Sequence, residues 1–391
     1  MNGDRPRRWD LMQKRSLAVG LVAAVLCAGG ALIFPPSFFR AYLSAYIFWV
    51  GIPVGCLALL MLHHLVGGRW GFMIQRILEA AIQTLPLMAL LFIPLFFGLP
   101  DLYPWARTEV VAADPVLQQK AAYLNVPFFI ARAVVYFAVW IVLGRLLVTW
   151  SLQQDRTADD TLTLRLQRLS GPGLVLYGLT VSFAAIDWMM SLEPKWYSTI
   201  FGMMFMVSFG LAALALAILA TRFLETEKPL ARVASPDRWH DLGNLLLALV
   251  MFWAYLSFSQ FLLIWSENLT EEIPWYLHRI GGGWEWVAIA LILFQFGLPF
   301  VLLLSRTTKR NSQILATVAG AILFMHWLDT IWMIAPSFYP AGFYLHWLDI
   351  ATPVAIGGLW LAAFIGHLEA RSLLPLHDPR FTELLEQAQE A

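Results

Sequence analysis

The sequence predicts an all-α integral membrane protein of about ten transmembrane helices, and three observations carry that reading. First, 59% of the 391 residues are apolar and only 13% are charged, with a mean hydropathy of +0.66, whereas a soluble domain carries about 25% charge. Second, ten apolar stretches reach the ~20 residues that a helix needs to cross a ~30 Å hydrocarbon core. Third, Lys and Arg gather in alternate connections, the pattern left by basic loops that stay on the cytoplasmic side. Residues 1–391 therefore read as one polytopic membrane domain, with short tails at 1–15 and 369–391. The 26 basic and 26 acidic residues balance, so no global basic surface points to nucleic acid, and the lipid bilayer is the expected surrounding.

The spans are taken in order at about 16–34, 42–65, 76–98, 126–150 and 173–192, then 196–221, 242–266, 284–304, 312–335 and 345–368. The first could be confused with a signal peptide, but its apolar run is too long for an h-region and nine more spans follow, so a retained helix is expected. Cys27 is no lipid-attachment site, because Leu26 stands before it where a small residue would be required. Cys27 and Cys56 are the two cysteines, and neither belongs to a CxxC or CxxCH motif, so the chain is expected to hold no iron–sulfur cluster or c-type haem. Counting Lys and Arg by connection places 19 on one side and 5 on the other, with Arg132 and Arg145 inside a span. Both termini are accordingly expected in the cytoplasm. Trp105, Trp150, Trp196, Tyr197, Trp265, Trp275, Tyr276 and Trp284 lie at span ends, where they read as an interfacial aromatic belt. The loops 98–125 and 266–284 face the other side and are the expected docking surfaces. The stretch 151–170 reads as a connection lying on the inner surface.

A charged group inside a span costs at least about 2.5–3.5 kcal/mol, so each is a candidate for function. The outer half holds Asp187, Ser259, Gln260, His326, Asp329, His346 and Asp349. The string His-Trp-Leu-Asp occurs twice, at 326–329 and 346–349, and a helical i, i+3 spacing would put each His and Asp on one face. A carboxylate beside an imidazole raises its basicity, which suits a proton acceptor near neutral pH. Asp187, His326, Asp329, His346 and Asp349, with Gln260, are therefore expected to converge on a quinone or proton site; tying helices together is the structural alternative. On the inner half, Glu79 pairs in expectation with Arg145, leaving Arg132 for Asp187 or a substrate oxygen, as a proton path or as structural ion pairs. His63, His64, His240 and His367 are the rival candidates for a haem b, although His63 and His64 read more simply as interfacial residues. No metal site is expected.

Three segments carry a family resemblance: SFAAIDWMMSLEPKWYS at 182–198, WAYLSFSQFLLIWSENLTEEIPWYLHR at 253–279 and FMHWLDTIWMIAP at 324–336. They resemble the second NrfD-like (polysulfide-reductase-C-like) membrane subunit of alternative complex III, a bacterial quinol:cytochrome c oxidoreductase. The resemblance runs from the second to the tenth span. Glu267 and Thr270 depart from the family's pattern, which reads close to SGNLPEEIPW. The resemblance implies an NrfD-like fold with two four-helix bundles plus two peripheral helices in the bacterial cytoplasmic membrane. It implies as partners a sister NrfD-like subunit and periplasmic iron–sulfur and multihaem cytochrome c subunits. Quinone or quinol is the implied small molecule, with quinol oxidation assigned mainly to the sister subunit and proton translocation to this one. Two other classes compete with this respiratory reading. One is a structural scaffold of the same complex. The other is an ion-coupled secondary transporter, for which Pro53, Pro86, Pro94 and Pro299 would have to mark broken helices.

Overall fold

A computed structural model describes residues 7–157, 159, 161–227, 230–375, 377–378 and 380–381. Parts of both expected tails, 1–6 and 382–391, and the basic residues Arg5 and Lys228 lie outside the described residues. Among those described, the chain is helical throughout, without a strand. Nine helices are long and apolar enough to cross a membrane, and a tenth crossing arises if one bent pair counts as a span. They are α1 (Arg7–Ile33), α2 (Pro35–Val66), the pair α3 (Arg69–Ile82) and α4 (Leu85–Phe97), α5 (Val126–Thr157), α6 (Thr161–Trp188), α7 (Phe201–Leu224), α8 (Pro236–Glu267), α9 (Trp284–Leu304), α10 (Ser312–Ile334) and α11 (Leu348–Glu369).

Local chemistry sets the breaks. Pro35 and Pro36 occupy the first turn of α2, where a missing N–H costs nothing, and so separate α1 from α2. Helix α2 ends on Gly67 at φ 67° and α8 on Asn268 at φ 53°, both left-handed caps that Gly and Asn adopt most readily. Helices α3 and α4 meet at a 41° bend, and Pro86 stands in the first turn of α4, where its missing N–H costs nothing. Within α9 a π-helical segment runs Leu291–Gly297.

The core sits on α2, which is buried along most of its length, and on α7, which packs along it. Close approach of these two helices needs Gly51 and Gly55: a Cβ on Gly55 would lie 2.1 Å from the Phe209 carbonyl oxygen. Helix α2 packs against α3, α5 and α6, and α5 against α3 and α6; α4 lies against α2 and α5, and α7 packs against α8 and α10, with α9 closing against both. Helix α1 lies along α11, where Gly20 and Gly358 bring the two backbones together.

Two sequence expectations change here. The stretch 151–170 is no surface loop, because α5 continues to Thr157 and α6 begins at Thr161. Leu162 and Leu166 are buried on one face of α6, and Gln154 Nε2 donates to Thr163 Oγ1 at 2.7 Å; Arg156, Arg165 and Arg168 are exposed, while Asp155 turns inward to Arg76. The aromatic belt is also only partly a belt. Tyr197 and Trp265 are exposed, but Trp105, Trp196, Trp275 and Trp284 are buried. They pack the extramembrane connections, as when Trp196 stacks on Trp275 with centroids 4.6 Å apart.

Candidate functional site

Helix α10 carries His326 and Asp329 on neighbouring turns of its buried face. Asp329 accepts a hydrogen bond from the Trp253 indole Nε1 on α8 at 3.1 Å, and no cation pairs with it among the described residues. His326 is 1% exposed, and neither ring nitrogen has a hydrogen-bond partner. Its ring instead lies 5.7 Å from that of Phe48 on α2. Counted at 1.5 Å per residue from Ser312, the two residues stand about 21 and 26 Å along α10, in the half away from the basic loop 306–310. A buried imidazole without a partner retains a free acceptor and a free donor, so these residues suit a molecule that presents a hydroxyl or carbonyl.

The second His-Trp-Leu-Asp string is built differently. Helix α11 starts only at Leu348, so His346 precedes the helix instead of sharing a face with Asp349. Asp349 Oδ2 accepts from the His346 backbone N–H at 2.7 Å, satisfying an amide at a helix entrance. The identical strings therefore have unlike roles, since one lies in mid-helix and the other closes a helix end.

Asp187 on α6 belongs to a third cluster. Arg132 on α5 reaches it with Nε at 2.7 Å and Nη2 at 2.9 Å, and Tyr136 donates its hydroxyl at 2.6 Å. The guanidinium also lies 3.9 Å from the Tyr123 ring centroid and donates from Nη1 to the Tyr123 carbonyl at 2.9 Å. This carboxylate is fully coordinated within its own helix group, and no described contact links it to His326 or Asp329. Gln260 on α8 accepts a hydrogen bond from Ser198 and likewise stands apart. The expected convergence of Asp187, Gln260, His326, Asp329, His346 and Asp349 thus separates into four places. Helix periodicity gives depth, but which helices are neighbours depends on packing that no single helix encodes.

On the basic side, Glu79 does not pair with Arg145, which is exposed. Glu79 accepts from Arg76 Nη1 at 2.6 Å, from Ser151 Oγ at 2.7 Å and from Gln75 Nε2 at 3.0 Å, while Arg371 Nη1 approaches to 3.7 Å. Arg76 also pairs with Asp155. Sequence reasoning counted Arg76 and Arg371 as loop charges and so missed this network of α3, α5 and the segment after α11. His63 and His64, read as interfacial residues, stand in the last turn of α2; both are 0% exposed, and all four ring nitrogens lack partners. No signal in the sequence marked Gln295 either, a buried residue of the π-helical segment whose amide is unpaired.

On the side with few basic residues, Arg279 is buried beneath the 266–284 connection. It binds Glu193 Oε1 at 3.0 Å and the Met333 carbonyl at 2.9 Å, and lies 3.7 Å over the Trp275 ring. Burial, followed by the neighbouring Glu267 and Glu271, raises the Glu272 carboxyl above its ordinary value. Compared with known proteins, the chain matches no protein-family model and no curated protein.

Proposed function

We propose that this chain is a membrane subunit of a respiratory quinol:cytochrome c oxidoreductase of the alternative complex III kind, and that His326 and Asp329 form its quinone-facing or proton-conducting site. The observation that carries the reading is the partnerless His326 one turn from Asp329, a buried carboxyl that accepts from an indole N–H alone. Buried ionisable groups are expensive in a bilayer, and a purely structural carboxylate would be expected to have the coordination that Asp187 enjoys. Oxidising a quinol releases two protons and two electrons. Asp329 and His326 receive protons, and the electrons pass to iron–sulfur and multihaem cytochrome c partners outside the membrane, beside a sister NrfD-like subunit.

Helix neighbours support the fold in that proposal. Helices α2 to α6 form one four-helix bundle with α3 and α4 counted as one, α7 to α10 form the other, and α1 and α11 are the two peripheral helices. The proposed setting is the bacterial cytoplasmic membrane, with both termini in the cytoplasm. The test substitutes Asp329→Asn and His326→Gln in the intact complex and follows quinol:cytochrome c activity and proton release together. A positioned acid or base contributes about 10²–10⁴-fold, so a loss of at least about a hundredfold is expected with assembly intact. Unchanged turnover and proton release would reduce the site to a helix tie and leave the chain a scaffold.

A further inference from the structure

An apolar cleft of about 620 Å³ opens between α1, α2, α10 and α11, a volume within the range of about 300–1,000 Å³ typical of small-molecule sites. Glycines bring its walls together: a Cβ on Gly357 would lie 2.2 Å from the Trp49 ring and one on Gly358 2.5 Å from the Gly20 Cα, while Gly320 leaves the α10 side without a side chain. Phe48, Trp49, Phe324 and Trp327 supply its aromatic walls. Along α11 the lining runs from Pro353 to Leu361, about 12 Å, and begins about 8 Å from the start of the helix, so from a mouth on the basic side the cleft reaches past the midplane of a ~30 Å core.

One end of the cleft is marked by charge. Arg15 and Ser16 line it, Arg15 is exposed, and no described residue neutralises it. Eighteen residues separate Arg15 from Ile33 at the end of α1, about 27 Å, so when Ile33 sits at one interface Arg15 sits at the other. The sequence adds four further basic residues in the same fifteen, Arg5, Arg7, Arg8 and Lys14. Four to eight basic residues beside a transmembrane helix are a recognition pattern for anionic headgroups.

We infer that the α1–α2–α10–α11 cleft is a binding site for one anionic phospholipid whose headgroup lies on the basic side, with its phosphate on Arg15 and Ser16 and an acyl chain that reaches past the midplane to Trp49 and Trp327. This site is separate from His326, whose ring faces Phe48 from inside the protein, and it does not depend on the proposed respiratory role. A neutral chain would fill the same walls, but would leave Arg15 uncompensated at the mouth.

The full chain, purified in mild detergent, is titrated with phosphatidylglycerol or phosphatidylcholine and examined by native mass spectrometry. The wild type should retain phosphatidylglycerol at least about threefold more than phosphatidylcholine. Arg15→Gln should remove that preference while leaving the melting temperature of the lipid-free protein unchanged. Gly320→Leu should reduce retention of both lipids by filling the cleft, at a position where a Cβ meets only Leu219 at 3.6 Å. Equal retention of the two lipids by the wild type, or a preference that survives Arg15→Gln, overturns the inference whether or not Gly320→Leu folds. So does a bound neutral quinone that competes with phosphatidylglycerol and is retained equally without Arg15.

Discussion

Arg132 and Asp187 show how one helical angle decides what a charge does. Arg132 and Arg145 occupy the same span thirteen residues apart, a rotation of about 220° at 3.6 residues per turn, so the two point to nearly opposite faces of α5. Arg132 finds Asp187, and Arg145 is turned outward. That is why Asp187 was legible as a partner of Arg132 from composition and depth, whereas the pairing of Glu79 with Arg145 was not to be found. Depth can be counted along a sequence, but facing requires knowing which side of the helix is already occupied. Removing the cation tests the arrangement. Arg132→Met would leave a buried carboxylate with only the Tyr136 hydroxyl, a change that costs about 3–5 kcal/mol when one partner of a buried pair is lost. The melting temperature in detergent should fall sharply, and the double substitution Arg132→Met with Asp187→Leu should recover most of the loss. A single variant as stable as the wild type would mean that water already screens this pair.

At the scale of helices, the apolar spans were readable because their length is fixed by the bilayer, and the ends were less readable because charge was taken as a loop signal. Helices α5 and α6 contradict that signal: their last and first turns carry charges yet remain helical, since a polar helix face projecting into water loses nothing by continuing. The pairing of α2 with α7 left a fainter trace, the spacing of Gly51 and Gly55 by one turn on a helix otherwise rich in bulky residues. That spacing has consequences opposite to ordinary helix propensity. Ala favours a helix interior over Gly by about 0.8–1 kcal/mol, and at Gly29, where a Cβ meets nothing within 4 Å, Gly29→Ala should hold or raise the melting temperature. At Gly55 the same change drives a methyl into the Phe209 backbone, and overpacking costs about 1–3 kcal/mol. Gly55→Ala should therefore lower the melting temperature while Gly29→Ala does not. Equal responses at the two positions would mean that α2 and α7 are not in the close contact described.

For the whole molecule, topology turns on whether α3 and α4 cross the membrane or turn back within it. Their 41° bend is far from a reversal, and α2 measures how far they travel. At its C-terminal end, His63 packs on Phe72 of α3, with ring centroids 4.8 Å apart. Toward its N-terminal end, Tyr46 and Tyr42 donate to the carbonyls of Met88 and Leu91 on α4 at 2.8 and 2.7 Å. The pair therefore follows α2 from His63 to Tyr42, 21 residues or about 32 Å at 1.5 Å per residue, which matches a ~30 Å core. Charge independently favours crossing. With ten crossings, Lys and Arg divide 19 to 5 between the two sides; with α3–α4 as a re-entrant hairpin, every later connection changes side and the same residues divide 11 to 13, erasing the asymmetry that orients membrane proteins. The distinction can be measured with an N-terminal tag and Gln119→Cys in the exposed 98–125 connection, since both native cysteines are buried. A crossing pair places the tag and the new thiol on opposite sides, so a membrane-impermeant maleimide should label Gln119→Cys in intact cells while the tag stays protected until the membrane is opened. Finding both on one side would make α3–α4 re-entrant, and the α2–α4 hydrogen bonds would then have to form within a hairpin that never leaves the membrane.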